Sequence, residues 1–153
     1  MGQIIEFSHK SCKFGFSFLS GTGFLNFKNQ CNSRQEIRSG KWGKEWKDLI
    51  DQYPEGTGTI SNALCFCPKC RTYFTESCRE FQIPNEGYHY SFDDDEDMVP
   101  PHIVEAHYHV IKQETKLCPE CKTEATILGN PKKVTCLVCG KVCWGKEVGF
   151  WDS

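Results

Sequence analysis

Cys118-Pro119-Glu120-Cys121, followed fourteen residues later by Cys136-Leu137-Val138-Cys139-Gly140, is the stretch on which the reading of this chain turns. Each half is a Cys-x-x-Cys turn, a spacing that lets two thiolates of one tight loop reach a single ion. Two such turns supply the four sulfurs of a closed, tetrahedral zinc site. Pro119 stiffens the first turn, and Gly140 can take the positive φ that a chain leaving such a turn needs. Ala125, Ile127 and Leu128 before Gly129-Asn130-Pro131, with Val134 after it, read as two short strands about a turn that brings the halves together.

Other uses of cysteine fit less well. The chain has 11 cysteines in 153 residues, an odd count for disulfide pairing. Its start, Met1-Gly2-Gln3-Ile4-Ile5-Glu6, has neither the basic region nor the apolar run of a secretory signal. A thioredoxin-like dithiol opens a helix in a βαβ unit and has no use for a second pair downstream. Iron is the remaining alternative to zinc. No run approaches the ~20 apolar residues of a membrane span, so a soluble, cytoplasmic protein with no membrane partner is expected. A hydrophobic content of 39% supports a modest core rather than a large enzyme fold.

The net charge of −2 hides a segregation. Residues 1–90 carry 11 basic and 9 acidic side chains, 91–111 none and 6, and 112–150 carry 7 and 4. The acids concentrate in Asp93-Asp94-Asp95-Glu96-Asp97, which reads as a solvated, self-repelling linker. The missing glycine and spaced glutamate exclude an EF-hand loop. The domains expected are therefore 1–90, an acidic linker at 91–101, and 102–153.

Along the chain, Ile4, Phe7, Phe14, Phe16 and Phe18 alternate about His9-Lys10-Ser11-Cys12, two strands around a turn with ligand-x-x-ligand spacing. Gly21-Thr22-Gly23 reads as a loop. Ser33 with Glu36 predicts a capping box for a helix that ends at Gly40. A second helix is predicted from Gly43 to Gln52, where Trp42, Trp46, Leu49, Ile50 and Tyr53 form one apolar stripe before Pro54. The stripe reads first as core, and otherwise as a docking face.

Cys67-Pro68-Lys69-Cys70 is a further Cys-x-x-Cys turn that needs two more ligands. Three sources compete: His9 with Cys12, Cys65 with Cys78, or His102, His107 and His109. The first is favoured because it pairs turn with turn. One zinc is then expected on His9, Cys12, Cys67 and Cys70, and a second on Cys118, Cys121, Cys136 and Cys139. Cys65 and Cys78 become small buried residues, and Arg71 to Ile83 a strand. Pro101 starts a helix that gives way to a strand, and its three histidines lack a His-Glu-x-x-His pattern, so they are expected to face solvent.

The His9 to Cys12 turn, the Gly-Thr-Gly loop, the segment Ile37 to Lys47 and the two Cys-Pro-x-Cys turns together resemble small bacterial proteins of uncharacterised activity that carry two zinc ribbons built on rubredoxin-type knuckles. His9 departs from them, since such proteins usually hold a full cysteine pair at the first knuckle. The resemblance implies fold and metal: a small α+β chain of two zinc-ribbon modules with short antiparallel strands, the first carrying a helical insertion at about 30–53. No catalytic or cofactor-binding constellation stands out. The function expected is a zinc-binding, non-catalytic interaction module docking to a protein partner. The alternative is nucleic-acid binding by the C-terminal ribbon, through Lys122, Lys132, Lys133, Lys141 and Lys146 with Trp144 and Trp151. Thiol redox or metalloenzyme chemistry stands third.

Overall fold

The protein is described by a computed structural model covering residues 2–93 and 96–151, less the side chain of Leu25. The chain is α+β, mostly antiparallel strands with a few helices. In order these are β1 (Gly2–His9), β2 (Phe14–Gly21), α1 (Phe24–Cys31), α2 (Ser33–Arg38), α3 (Lys44–Gln52), β3 (Thr57–Cys67), β4 (Thr72–Pro84), α4 (Pro101–His107), β5 (Tyr108–Gln113), β6 (Thr126–Gly129), β7 (Lys133–Thr135) and β8 (Val142–Trp151). Among the described residues no helix is long and apolar enough to cross a membrane.

Contacts divide the chain into two compact units, and these interleave instead of following one another as 1–90, 91–101 and 102–153. Unit 1 is Met1–Leu25, Ser61–Cys78 and Thr115–Ser153; unit 2 is Asn26–Ile60 and Arg79–Glu114. The divisions fall inside β3 and β4, so each strand gives one end to each unit.

In unit 1 the β1–β2 hairpin runs in register from Gly2↔Gly21 to His9↔Phe14, as its alternation predicts. The other edge of β1 pairs with β8, from Gly2↔Trp151 to Phe7↔Gly145, with a bulge at Ile4/Ile5. Gly145 permits that approach, because a Cβ there would lie 2.8 Å from Ile5 Cγ2 and 2.9 Å from Phe7 Cε1. Phe7 and Phe18 are fully buried with Leu64, Val134, Cys136 and Cys143, each ring contributing about 1.5–3 kcal/mol of burial.

The two short strands expected to pair about Gly129-Asn130-Pro131 do not. β6 pairs with β3 (Phe66↔Thr126) and β7 with β8 (Val134↔Cys143). A hairpin of so few residues is marginal alone, whereas joining longer strands extends a sheet and buries Val134.

Unit 2 holds the helices. Trp42, Trp46, Ile50, Ile37, Ile60 and Phe81 form its core, with the two indoles edge-to-face at 5.3 Å, so the stripe is core and not a docking face. The capping box does not form. Asn32 is the N-cap position of α2, the Ser33 hydroxyl donates instead to the Gly58 carbonyl at 2.8 Å, and Glu36 accepts from Trp42 Nε1 at 2.9 Å. Tertiary partners outcompete the local cap. Helix α1 was not foreseen.

The acidic segment is not a free linker throughout. Asp94 and Asp95 lie outside the described residues, but Asp97 accepts from Arg34 Nε at 2.9 Å and pairs with Arg38, and Val99 is buried. The 6%-exposed side chain of Arg34 also donates to the Gly56 and Pro54 carbonyls and lies over the Phe92 ring. A nearly buried guanidinium with that many partners outweighs repulsion along the acidic run.

Candidate metal centres

Of four turns of ligand-x-x-ligand spacing, three sit where one strand ends and the next begins. His9–Cys12 joins β1 to β2, Cys67–Cys70 joins β3 to β4, Cys118–Cys121 lies within a small loop closed by the Leu117↔Glu124 bridge, and Cys136–Cys139 joins β7 to β8. All four share one backbone device. The residue after the second ligand takes a left-handed conformation: Lys13 (φ 53), Arg71 (φ 54), Lys122 (φ 62) and Gly140 (φ 77). The turn is closed in three of them by a bond to the first ligand's carbonyl: Arg71 N to Cys67 O at 2.8 Å, Lys122 N to Cys118 O at 3.0 Å, and Gly140 N to Cys136 O at 2.9 Å. In this conformation the two ligand side chains of a turn converge on one point.

The turns meet in two clusters of four, within each of which all ligand atoms lie within 4.8 Å of one another: His9, Cys12, Cys136 and Cys139, and Cys67, Cys70, Cys118 and Cys121. Each group can hold a metal ion. The partnership differs from the expected one, in which consecutive turns paired. The turns are nested, the first with the last and the second with the third. The reason lies in the strands. The β1–β8 register lays the tips of the β1–β2 and β7–β8 hairpins side by side, and β6 on β3 brings the third turn to the second. Cys139 Sγ and His9 Nδ1 are 3.3 Å apart across 130 positions. Closing such a span in place of the expected fourteen residues costs only about 2 kcal/mol, less than the burial of Phe7 and Phe18 together returns.

Distances fit a tetrahedral ion. Zinc–sulfur bonds of about 2.3 Å place two sulfurs roughly 3.8 Å apart, and a sulfur and an imidazole nitrogen roughly 3.5 Å apart. Cys67 Sγ lies 3.5 Å from Cys121 Sγ, and Cys118 Sγ 3.9 Å from Cys70 Sγ. The His9 ring presents Nδ1 to its cluster while Nε2 shares a 3.0 Å hydrogen bond with Ser11 Oγ, which fixes the ring orientation.

The thiols of each cluster divide into easy and reluctant acids. The hydrogen bond with Cys139 pushes the Cys12 thiol up to about 11, and that with Cys121 pushes Cys70 up to about 12. Hydrogen bonds from the Thr123 side chain and backbone hold Cys121 at about 6. Burial opposes ionisation of Cys136, but backbone hydrogen bonds of Cys139 and Val138 and one from His9 bring it to about 6. Each cluster thus shares protons among crowded sulfurs, a set that a dication satisfies by displacing them.

His102, His107 and His109 join neither cluster and are exposed. His109 Nδ1 lies 2.8 Å from Asn85 Oδ1, and His107 stacks on Tyr88 at 4.2 Å. Cys65 and Cys78 are buried outside the clusters, as expected. Sequence reading missed β8, although Val142, Trp144, Lys146 and Val148 alternate with Cys143, Gly145 and Glu147, and it missed Ser11 and Thr123 as supporting groups. Comparison of the chain with protein-family profiles, with curated proteins and with solved structures finds no match to any of them.

Proposed function

We propose that the chain is a zinc-binding, non-catalytic interaction module in which two zinc ions hold two ribbon-like pairs of turns, one on His9, Cys12, Cys136 and Cys139, the other on Cys67, Cys70, Cys118 and Cys121. The observation that carries this is the completeness of each cluster: four ligand atoms, all from ligand-x-x-ligand turns, within 4.8 Å of one another. Four protein ligands leave no position for a reacting water, the arrangement of structural rather than catalytic zinc. Recognition then falls to surfaces that the metal-held strands display. Trp42 and Trp46 are excluded by burial. For a protein partner the candidate surface is instead β8, whose Val142, Val148 and Phe150 are exposed.

Native mass spectrometry with elemental analysis tests this. Two zinc ions per chain, no visible absorbance and unfolding by chelator are the expected results. One ion, or rubredoxin-like iron absorbance, overturns it.

A further inference from the structure

We infer that the β7–β8 side of unit 1 binds single-stranded nucleic acid, with a base stacked on Trp144, a neighbouring base in the groove between Phe66 and Leu137, and phosphates on Arg71, Lys132 and Lys133. This rests on the reading above, since the zinc clusters hold the hairpin and the strand opposite it.

The geometry is specific to one part of the molecule. Trp144 is 67% exposed, an uncommon state for the largest apolar side chain. It stands opposite Lys133 in the β7–β8 register, and Lys133 Nζ lies over its ring at 5.5 Å. Lys133 also lines a groove of about 370 Å³ with Phe66, Arg71, Tyr73, Leu128 and Leu137, and no acid among the described residues lines it. Trp144 lines a second groove of about 380 Å³ with Ile5, Pro131 and Lys132. Glu147, the one carboxylate there, accepts from Gln3 Nε2 at 2.8 Å. Aromatic faces between cations are what a single strand requires: bases stack without regard to sequence while the backbone follows the positive charge.

Arg34, Arg38, Lys41, Lys47 and Lys112 of unit 2 are each matched by a carboxylate, and of its lysines Lys28 and Lys44 have none in ion-pair range among the described residues. Arg71, Lys132, Lys133, Lys141 and Lys146 of unit 1 have no carboxylate in ion-pair range among the described residues. A net charge near zero therefore conceals one surface with unmatched cations. Trp151, expected to share the stacking, is not available: its indole donates to the Ser20 carbonyl at 3.0 Å.

The test uses the full zinc-loaded chain and fluorescein-labelled twelve-nucleotide oligouridine, oligothymidine and a duplex of equal length, followed by anisotropy at 50 and 200 mM salt. Both single strands should bind, better than the duplex, and weaken about twentyfold over that salt range if three phosphates are held. Preference for uridine over thymidine assigns the ligand to RNA, the reverse to DNA. Trp144→Ala should weaken binding about tenfold while Trp144→Phe largely restores it, and Lys133→Gln should lower the salt slope by about 0.7. No binding by protein that carries two zinc ions overturns this inference alone and returns β8 to a protein partner. Protein that holds neither metal nor oligonucleotide overturns the functional reading with it. Equal affinity of Trp144→Ala and the parent also overturns the inference.

Discussion

The two ligand clusters are built from the same turn and differ in where they stand. The Cys67, Cys70, Cys118 and Cys121 cluster is all sulfur and spans 54 positions between Cys67 and Cys121. The His9, Cys12, Cys136 and Cys139 cluster spans 130, uses an imidazole, and leaves Cys139 exposed. The same turn therefore serves two jobs. The inner cluster joins neighbouring segments, while the outer one closes a hairpin pair that β1 and β8 already hold by ladder hydrogen bonds and by the core about Phe7. The outer site can thus tolerate a weaker ligand set, because strand pairing pre-organises it.

The largest expected effect separates nested from consecutive pairing. In Cys12→Ser/Cys136→Ser both changes fall in one cluster, so native mass spectrometry should find one zinc, whereas Cys12→Ser/Cys67→Ser should find none. The opposite pattern would restore the consecutive pairing. Next comes the imidazole: His9→Cys should keep two ions, and His9→Ala should lose the outer one with the inner retained. Full metal content in His9→Ala would show that His9 is not a ligand. Loss of its support is smaller. Ser11→Ala should weaken outer-site affinity about tenfold by freeing the ring, measured by chelator competition, with no change at the inner site.

Smaller still is the backbone term. Lys13→Gly and Lys122→Gly should each stabilise the chain by up to about 1 kcal/mol, because a left-handed conformation costs a side chain roughly that much, and Gly140→Ala should destabilise by a similar amount. A Cβ at Gly140 would meet nothing within 4 Å, so φ alone sets its cost. Chemical denaturation at saturating zinc checks the signs.

The last effect lies outside both clusters. Burial would raise the Asp97 carboxyl, but Arg38 and Arg34 outweigh it and hold it below its ordinary value of 3.8; Trp42 and Lys41 lower Glu36 likewise. Carboxylates depressed in the folded state contribute stability that is present above their ordinary values and lost as pH falls through the depressed ones. Unit 2 should therefore weaken below about pH 4, seen as loss of near-ultraviolet signal from Trp42 and Trp46, and Asp97→Asn should flatten that dependence.

The turns themselves were legible, because spacing and a following glycine or cation are local properties. So were β1, β2, α3 and the burial of Cys65, where one face of a periodic element decides the outcome. The partnership of the turns was not, since it depends on which strands pair across the whole chain. Strand β8 held the answer and was obscured by two glycines in ten residues and by outward Trp144, which read as a stacking aromatic for nucleic acid. Ser33 misled for a related reason: its hydroxyl had a partner in Gly58, twenty-five positions away.

Nesting also imposes an order in time on assembly at the ribosome. The inner ligand set is complete once Cys121 has emerged, while the outer set waits for Cys139. At about 5–20 residues per second that interval is roughly one to four seconds, during which the first hairpin carries His9 and Cys12 as half a site. Chains truncated after residue 130 and freed from the ribosome should accordingly retain one metal ion and expose Cys12 to thiol reagents, and chains that extend through β8 should protect it.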